Sequence, residues 1–309
     1  MPRTLTDRSA LATRVGGLEL VSAVMTASGT SGHGAELAAY GQLSELGAVV
    51  VKSLAAFAWP GNAGLRVHRA AGGSMLNRVG LQGPGVAVWR ERDLPALLEH
   101  SATVVASIWG RSPDELAAAA RALRGALGVA AVEVNISCPN LSGHVLGDSA
   151  RAAAEALDAV SSTLGDAGVP LWAKLSPAAP DICEIAGAVL RAGASALTLV
   201  NTLPAMWIDT EGREAPFAGG LSGPALHPVA LRAVHDCRRA FPDAPIVGVG
   251  GVSSGADAAA LLRAGADAVQ VGTATFADPR ASWRVQEELA RWCARHGTTV
   301  EEVRAGARG

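Results

Sequence analysis

The chain has 309 residues, 49% of them hydrophobic and 4% aromatic, which suits one large α/β core that needs no disulfide or metal staple. Its 26 basic and 28 acidic residues are scattered without blocks and leave a formal charge of −2, so no electrostatic footprint for nucleic acid or an anionic membrane exists and a small-molecule partner is expected. Four cysteines, Cys138, Cys183, Cys237 and Cys293, form no CxxC pair, which argues against a zinc site or a secreted disulfide framework and fits a reducing cytosol. The opening MPRTLTDRSALATRVGG has no apolar core, and nowhere do 18 apolar residues run uninterrupted, so neither export nor a membrane span is expected and the location expected is cytoplasmic.

In chain order, eight short runs rich in Val, Ile, Leu and Ala alternate with Ala-rich amphipathic stretches. The runs are Leu20 to Thr26, Ala48 to Lys52, Thr103 to Trp109, Ala131 to Ile136, Pro170 to Leu175, Ala196 to Asn201, Pro245 to Val249 and Ala268 to Gly272. Such runs fit parallel strands buried on both faces and joined by helices. Gly47, Gly128, Gly168, Gly193 and Gly265 precede five of them as expected left-handed helix stops. RAGASALTLVNT from Arg191 and RAGADAVQVGTA from Arg263 repeat one helix-end, turn and strand unit. Eight βα units predict a single closed (β/α)8 barrel, a TIM barrel of the α/β class, as one domain over residues 1–309. The long stretches Ser53 to Pro95 and Thr202 to Gly223 leave the carboxyl ends of strands, the face that carries barrel active sites, and are expected to form loops and small hairpins over the mouth.

Polar residues collect at those strand ends: Ala27 with Ser28, then Lys52, Ser107, Asn135, Lys174, Asn201, Gly250 with Gly251, and Gly272 with Thr273. A lysine or asparagine closing an apolar strand loses its water unless something polar meets it. Alternation puts Glu133, Asn135 and Ser137 on one face of VEVNIS, and Trp172, Lys174 and Ser176 on one face of LWAKLS. Glu133 is thereby expected inside the barrel with a cationic partner, Lys174 being the first candidate. The glycine-rich turns of GVGGVSSG and VGTATF follow the seventh and eighth strands, where backbone N–H groups and a helix N-terminus can hold a phosphate. In NISCPN, Pro139 forces an extended exit, so Cys138 is expected on a loop at the catalytic face as a nucleophile or base; with no second cysteine nearby, a metal-ligand role fits poorly. Cys183, Cys237 and Cys293 fall in helical stretches and read as small hydrophobes.

With these residues in view the chain resembles a known family. ASG at Ala27 to Gly29, MLNRVGLQGPG from Met75, NISCPN, KLSP from Lys174, NTL from Asn201, GGLSGPALHPVAL from Gly219, GVGGV and VGTATFADP together look like class 1 dihydroorotate dehydrogenases, over nearly the whole chain. GGLSGPA and the length are most similar to class 1B. The resemblance implies oxidation of dihydroorotate to orotate in pyrimidine biosynthesis, with Cys138 removing the C5 proton while C6 gives hydride to FMN. It implies that Asn77, Asn135, Asn140 and Asn201 hold the pyrimidine, whose edge alternates donors and acceptors as an amide does. Lys52, Val79, Gly80, Leu81 and Thr202 complete the implied substrate contacts. Implied FMN contacts are Ala27, Ser28, Lys52, Ser53, Ser107, Asn135, Lys174, Thr202, Gly223, Gly250, Gly251, Gly272 and Thr273, with Lys174 beside the flavin N1 and O2. No metal is implied on this chain.

For partners, class 1B implies a homodimer within a heterotetramer whose second subunit carries FAD and a 2Fe-2S cluster and passes electrons to NAD. Rivals are a class 1A-like homodimer using fumarate, a flavin barrel acting on another dihydropyrimidine, and a non-catalytic flavin-binding barrel. Departures from the class are Ser107, where asparagine is usual, the bulky Trp109, the stretch TSGHG, and AWPGNAGLR ending at Leu65 and Arg66.

Overall fold

The computed structural model describes residues 8–137, 146–165 and 168–307. Its strands are β1 (Thr13–Val15), β2 (Leu18–Leu20), β3 (Val24–Thr26), β4 (Val49–Val50), β5 (Val67–Arg69), β6 (Met75–Asn77), β7 (Val104–Ile108), β8 (Val129–Asn135), β9 (Leu171–Leu175), β10 (Ala196–Leu199), β11 (Leu203–Trp207), β12 (Phe217–Ser222), β13 (Ile246–Val249) and β14 (Ala268–Val271). Its α-helices are α1 (Val86–Arg92), α2 (Leu94–Glu99), α3 (Pro113–Leu123), α4 (Ala150–Leu164), α5 (Ile182–Arg191), α6 (His227–Ala240), α7 (Gly255–Ala264), α8 (Ala274–Ala277), α9 (Ala281–His296) and α10 (Val300–Gly306).

Eight parallel strands lie in the order β3-β14-β13-β10-β9-β8-β7-β4. The edges meet, because Thr26 N–H donates to Ala48 O (3.1 Å) and Gly47 N–H to Val24 O (2.8 Å). The barrel is therefore the one expected, with each expected run overlapping one of these strands; β8 begins at Val129, two residues before its expected run. Two further boundaries differ. Leu20 to Thr26 is not one strand: Leu18–Leu20 turns back on Thr13–Val15 as an antiparallel hairpin before the barrel begins at Val24. After β3 the glycine-rich stretch makes two 3-10 turns, Glu36–Ala39 and Leu43–Glu45, in place of an α-helix.

The outward face of the strands packs on amphipathic helices. In α4 the buried positions Ala153, Ala156, Leu157, Val160 and Leu164 recur at helical spacing, and the Ser149 hydroxyl caps the start by accepting from Ala152 N–H (3.3 Å). Inside, Met25, Val50, Val105, Ala131, Trp172, Ala196, Val247 and Ala268 fill the base of the barrel together with Val15 and Leu20 of the hairpin. Trp172 Nε1 donates to Gly16 O (3.3 Å), and a Cβ at Gly16 would stand 2.2 Å from that nitrogen. Burial of one such large side chain stabilises by about 1.5–3 kcal/mol. A second buried network holds α10 to the barrel: Asp267 accepts from Arg238 Nη2 (2.9 Å), Arg304 Nε (2.9 Å) and Ile246 N–H (2.8 Å).

Gly128, Gly168, Gly193 and Gly265 have the left-handed φ expected of them, and Gly47 does not. It is glycine for closeness, since a Cβ there would lie 2.1 Å from Ser22 O. The two long insertions also differ from separate loops and hairpins. They pair with each other in one four-stranded antiparallel sheet, β11-β12-β6-β5, in which Gly220 lies opposite Asn77. Among the described residues no helix is long and apolar enough to cross a membrane.

Candidate active site

The carboxyl ends of the strands join small polar side chains into one string. Val51 N–H donates to Val105 O (3.1 Å) and Leu54 N–H to Ser107 O (2.9 Å), so the chain beyond β4 keeps following β7. This brings Ser53 into the mouth. Its hydroxyl shares hydrogen bonds with Ser28 (3.2 Å) and Ser107 (2.8 Å) and accepts from Asn135 Nδ2 (3.2 Å). Asn135 Oδ1 accepts from Ser137 Oγ (2.8 Å) and Asn201 Nδ2 (3.3 Å), and Asn201 Nδ2 also donates to Ser137 Oγ. Asn201 Oδ1 then accepts from Thr202 N–H (2.8 Å). Ser53, Ser107 and Asn135 are buried, so each hydroxyl or amide needs these partners to offset its desolvation. Ser107 meets Ser53 directly through its short side chain.

Lys52 is half-buried beside the string, its N–H donating to Gly32 O (2.9 Å). Burial, and then the nearby Arg66 charge, hold its ammonium below the ordinary lysine range. Arg66 itself donates to Gln82 Oε1 (2.6 Å), Asn62 O (2.8 Å) and Pro60 O (3.0 Å), which organises its loop. Next to Lys52, His33 is pushed below its ordinary value by burial and then by the Lys52 charge.

Asn77 reaches the mouth from the inserted sheet, where its Nδ2 donates to Gly220 O (3.2 Å). Gly220 is glycine because a Cβ would fall 2.1 Å from Thr202 Oγ1; Asn77 and Thr202 thus approach one another across its bare backbone. Val79, Gly80 and Leu81 follow β6 as irregular chain. Gly80 and Leu81 are both left-handed (φ 74 and 60), and Val79 O accepts from Asn62 N–H (3.0 Å). Val79 and Gly80 lie against the Gly61–Asn62 loop.

Below the string lies a polar layer. Glu133 is buried and points inward as expected, its Oε1 3.5 Å from Lys174 Nζ, and its Oε2 accepts from Gln270 Nε2 (3.0 Å). Thr198, opposite Lys174 in the β9–β10 register, faces the same layer. Gln270 and Thr198 were not singled out from the sequence, although alternation in ALTL and AVQV carries the signal. Ser137 shares the inward face with Asn135 as alternation expects, whereas the grouping of Trp109 with other aromatic rings was not anticipated. In that group the rings of Phe57, Trp59 and Trp109 stand edge to face at 6.1–6.2 Å, and Arg111 lies over Phe57 at 5.1 Å.

After β13 and β14 a cleft of ≈ 240 Å³ is lined by Gly223, Gly251, Ser253, Thr273 and Arg284, among others. The helix start there does not match the expectation of free amides. Ser253 and Ser254 N–H already donate to Asp257 Oδ2 (3.0 and 2.9 Å), and Gly255 N–H to Glu288 Oε2 (2.7 Å). Nearby, Gly272 presents bare backbone. A Cβ there meets Ala27 Cβ at 3.4 Å and Thr30 Cγ2 at 3.8 Å, ordinary contacts, so internal packing does not demand glycine and the missing methyl leaves room for a ligand. Gly250 (φ 137) and Gly251 (φ 69) are instead required by the fold, with Cβ positions 2.7 and 2.6 Å from Ala230 and His227. Cys138 and Asn140 lie outside the described residues. Cys183, Cys237 and Cys293 sit in α5, α6 and α9 as expected, and burial pushes the Cys183 and Cys237 thiols up.

Two lysines, a serine–asparagine string and a glycine-lined cleft at the carboxyl end of a parallel barrel define an α/β-barrel enzyme site. The chain belongs to the dihydroorotate dehydrogenase family, whose model matches residues 10–292. It is an oxidoreductase of dihydroorotate oxidation, a step of pyrimidine biosynthesis. It is 42% identical over 302 residues to the dihydroorotate dehydrogenase B (NAD(+)) catalytic subunit of Geobacter sp. (strain M21), covering 96% of this chain and 97% of that one. The protein of the same name from Solidesulfovibrio magneticus is 43% identical over 289 residues, covering 92% and 93%. That from Alkaliphilus oremlandii is 42% identical over 287 residues, covering 91% and 93%. The expected resemblance to class 1, and within it to class 1B, is borne out.

Proposed function

We propose that this chain, as one barrel domain in the cytoplasm, oxidises (S)-dihydroorotate with FMN held at the mouth and passes the electrons to a second subunit. The observation that carries the reading is Asn135. It is buried at the end of β8, donates to Ser53 and accepts from Ser137 and Asn201, in a chain whose family acts on dihydroorotate. The residues present fit the cofactor. Gly272 leaves space against Ala27, Gly223, Gly251 and Thr273 line the adjoining cleft, and Ser28, Ser53, Ser107 and Lys174 offer donors toward a polar ring. When bound, FMN supplies the hydride acceptor.

Asn77, Asn135, Asn140 and Asn201 present amides to the pyrimidine, with Val79, Gly80, Leu81 and Thr202 beside them. Lys52 pairs with the substrate carboxylate; its partial burial strengthens that pairing. Cys138 accepts the C5 proton as a thiolate. Lys174 would offer its ammonium to the bound flavin. The names of the relatives, each a catalytic subunit of an NAD(+) enzyme, support a separate electron-transfer subunit bearing FAD and a 2Fe-2S cluster, on a homodimer of this chain.

Acid release and chromatography of the flavin test the reading, together with anaerobic bleaching by dihydroorotate. One FMN per chain, bleached by substrate, is expected, with electrons passing to dyes and not to NAD. FAD, or folded protein purified without flavin, overturns the cofactor; NADH formed by the lone chain overturns the partner.

A further inference from the structure

The polar layer inside the barrel does more than fill space. Lys174 is 4% exposed and Glu133 0%, with the apolar base of Trp172, Val105 and Val247 beneath them. An ammonium so buried needs a counter-charge to offset its lost water. Glu133 Oε1 stands 3.5 Å from Lys174 Nζ, without hydrogen-bond geometry, while Oε2 is fixed by Gln270 from β14. The clamp from Gln270 leaves Oε1 facing the lysine. Around Lys174 the neighbouring strands offer neutral groups, Asn135 and Thr198 in register and Gln270 across the barrel; Lys52 at the mouth adds a further positive charge. Among the described residues, Glu133 is the negative side chain in this layer.

We propose that Glu133 is a positioning residue that holds Lys174 protonated and directed at the mouth, and so sets the charge the flavin ring meets. This rests on the reading that the flavin lies across the mouth. Glu133 touches neither substrate nor cofactor and acts through Lys174. A protonated Lys174 favours the reduced, anionic ring, so its charge raises the flavin potential.

The test is the flavin midpoint potential of the FMN-loaded protein, followed from about pH 6 to about pH 9. Wild type, Glu133→Gln, Lys174→Gln and the double variant are compared. Lys174→Gln should lie below wild type throughout. Glu133→Gln should stay at or above wild type at the acid end and fall to the Lys174→Gln curve at the alkaline end, with an inflection that wild type lacks. In the double variant, which leaves no lone buried charge and should fold even where Glu133→Gln does not, the curve should superimpose on Lys174→Gln. A Glu133→Gln curve parallel to wild type overturns the proposal, and so does a double variant displaced from Lys174→Gln. Wild-type protein that carries no flavin defeats the functional reading instead, so the two failures are distinct.

Discussion

Replacing Gly272 by alanine separates what the fold needs from what the ligand needs. The added methyl meets Ala27 Cβ at 3.4 Å and Thr30 Cγ2 at 3.8 Å, both ordinary van der Waals separations, and the backbone there is not left-handed. Within the protein the change is free of overlap, and the smaller unfolded-state entropy of alanine contributes about 0.4–1 kcal/mol in favour of folding. Flavin-free Gly272→Ala should therefore melt at or slightly above wild type. If FMN lies against Gly272 as proposed, the methyl takes its space, and forcing one extra methyl into a filled site costs about 1–3 kcal/mol, or roughly 5- to 150-fold in affinity. Gly250→Ala is the contrast: its Cβ would stand 2.7 Å from Ala230 Cβ at φ 137, so it should destabilise the flavin-free protein as well. Fluorescence titration of FMN into flavin-free protein, beside thermal melts, reads both effects. Gly272→Ala protein that binds FMN within about twofold of wild type, or that melts well below it without ligand, refutes the reasoning.

Three further outcomes are expected. Cys138→Ala should nearly abolish anaerobic flavin reduction by dihydroorotate in stopped flow while FMN stays bound, and Cys138→Ser should slow it and move its pH dependence upward; Cys183→Ser, Cys237→Ser and Cys293→Ser should leave the rate near wild type. Because burial and then Arg66 lower the Lys52 value, and the protonated form is the one that pairs with a carboxylate, orotate affinity should be lost as pH rises through a midpoint below the ordinary lysine value. Lys52→Gln should bind orotate at least about tenfold more weakly at neutral pH and lack that loss; an unchanged affinity removes Lys52 from the carboxylate. Asp267→Asn breaks the pairs with Arg238 and Arg304 and should cost about 3 kcal/mol, a fall of about 5 °C in Tm, with FMN binding retained; a fall under about 1 °C contradicts that accounting.

What could be read from the residues follows the range over which they act. Strand identity and facing are local, so alternation placed Glu133, Asn135 and Lys174 inside the barrel, and the same alternation would have placed Thr198 and Gln270 had their single polar atoms been weighed beside the turns that follow them. Gly47 looked like a helix stop because glycine before a strand has two physical causes, a positive φ and a close approach, and only the approach of Ser22 O distinguishes them. Amides at the start of α7 looked available for a phosphate; Asp257 is local and signals a cap, but Glu288 arrives from α9. The union of the two insertions depends on register between residues 143 apart, Asn77 and Gly220, and no nearby pattern encodes it.

That shared sheet restricts how the site can be redesigned. β6 reaches β11 through β12, and the bare backbone of Gly220 seats Thr202 from one insertion against the strand partner of Asn77 from the other. A graft that exchanges one insertion for a relative's while keeping the other would break backbone pairing along the whole β6–β12 seam and expose two new strand edges to other chains. The pair is thus a single structural cassette, whose two halves must travel together if the sheet is to be kept.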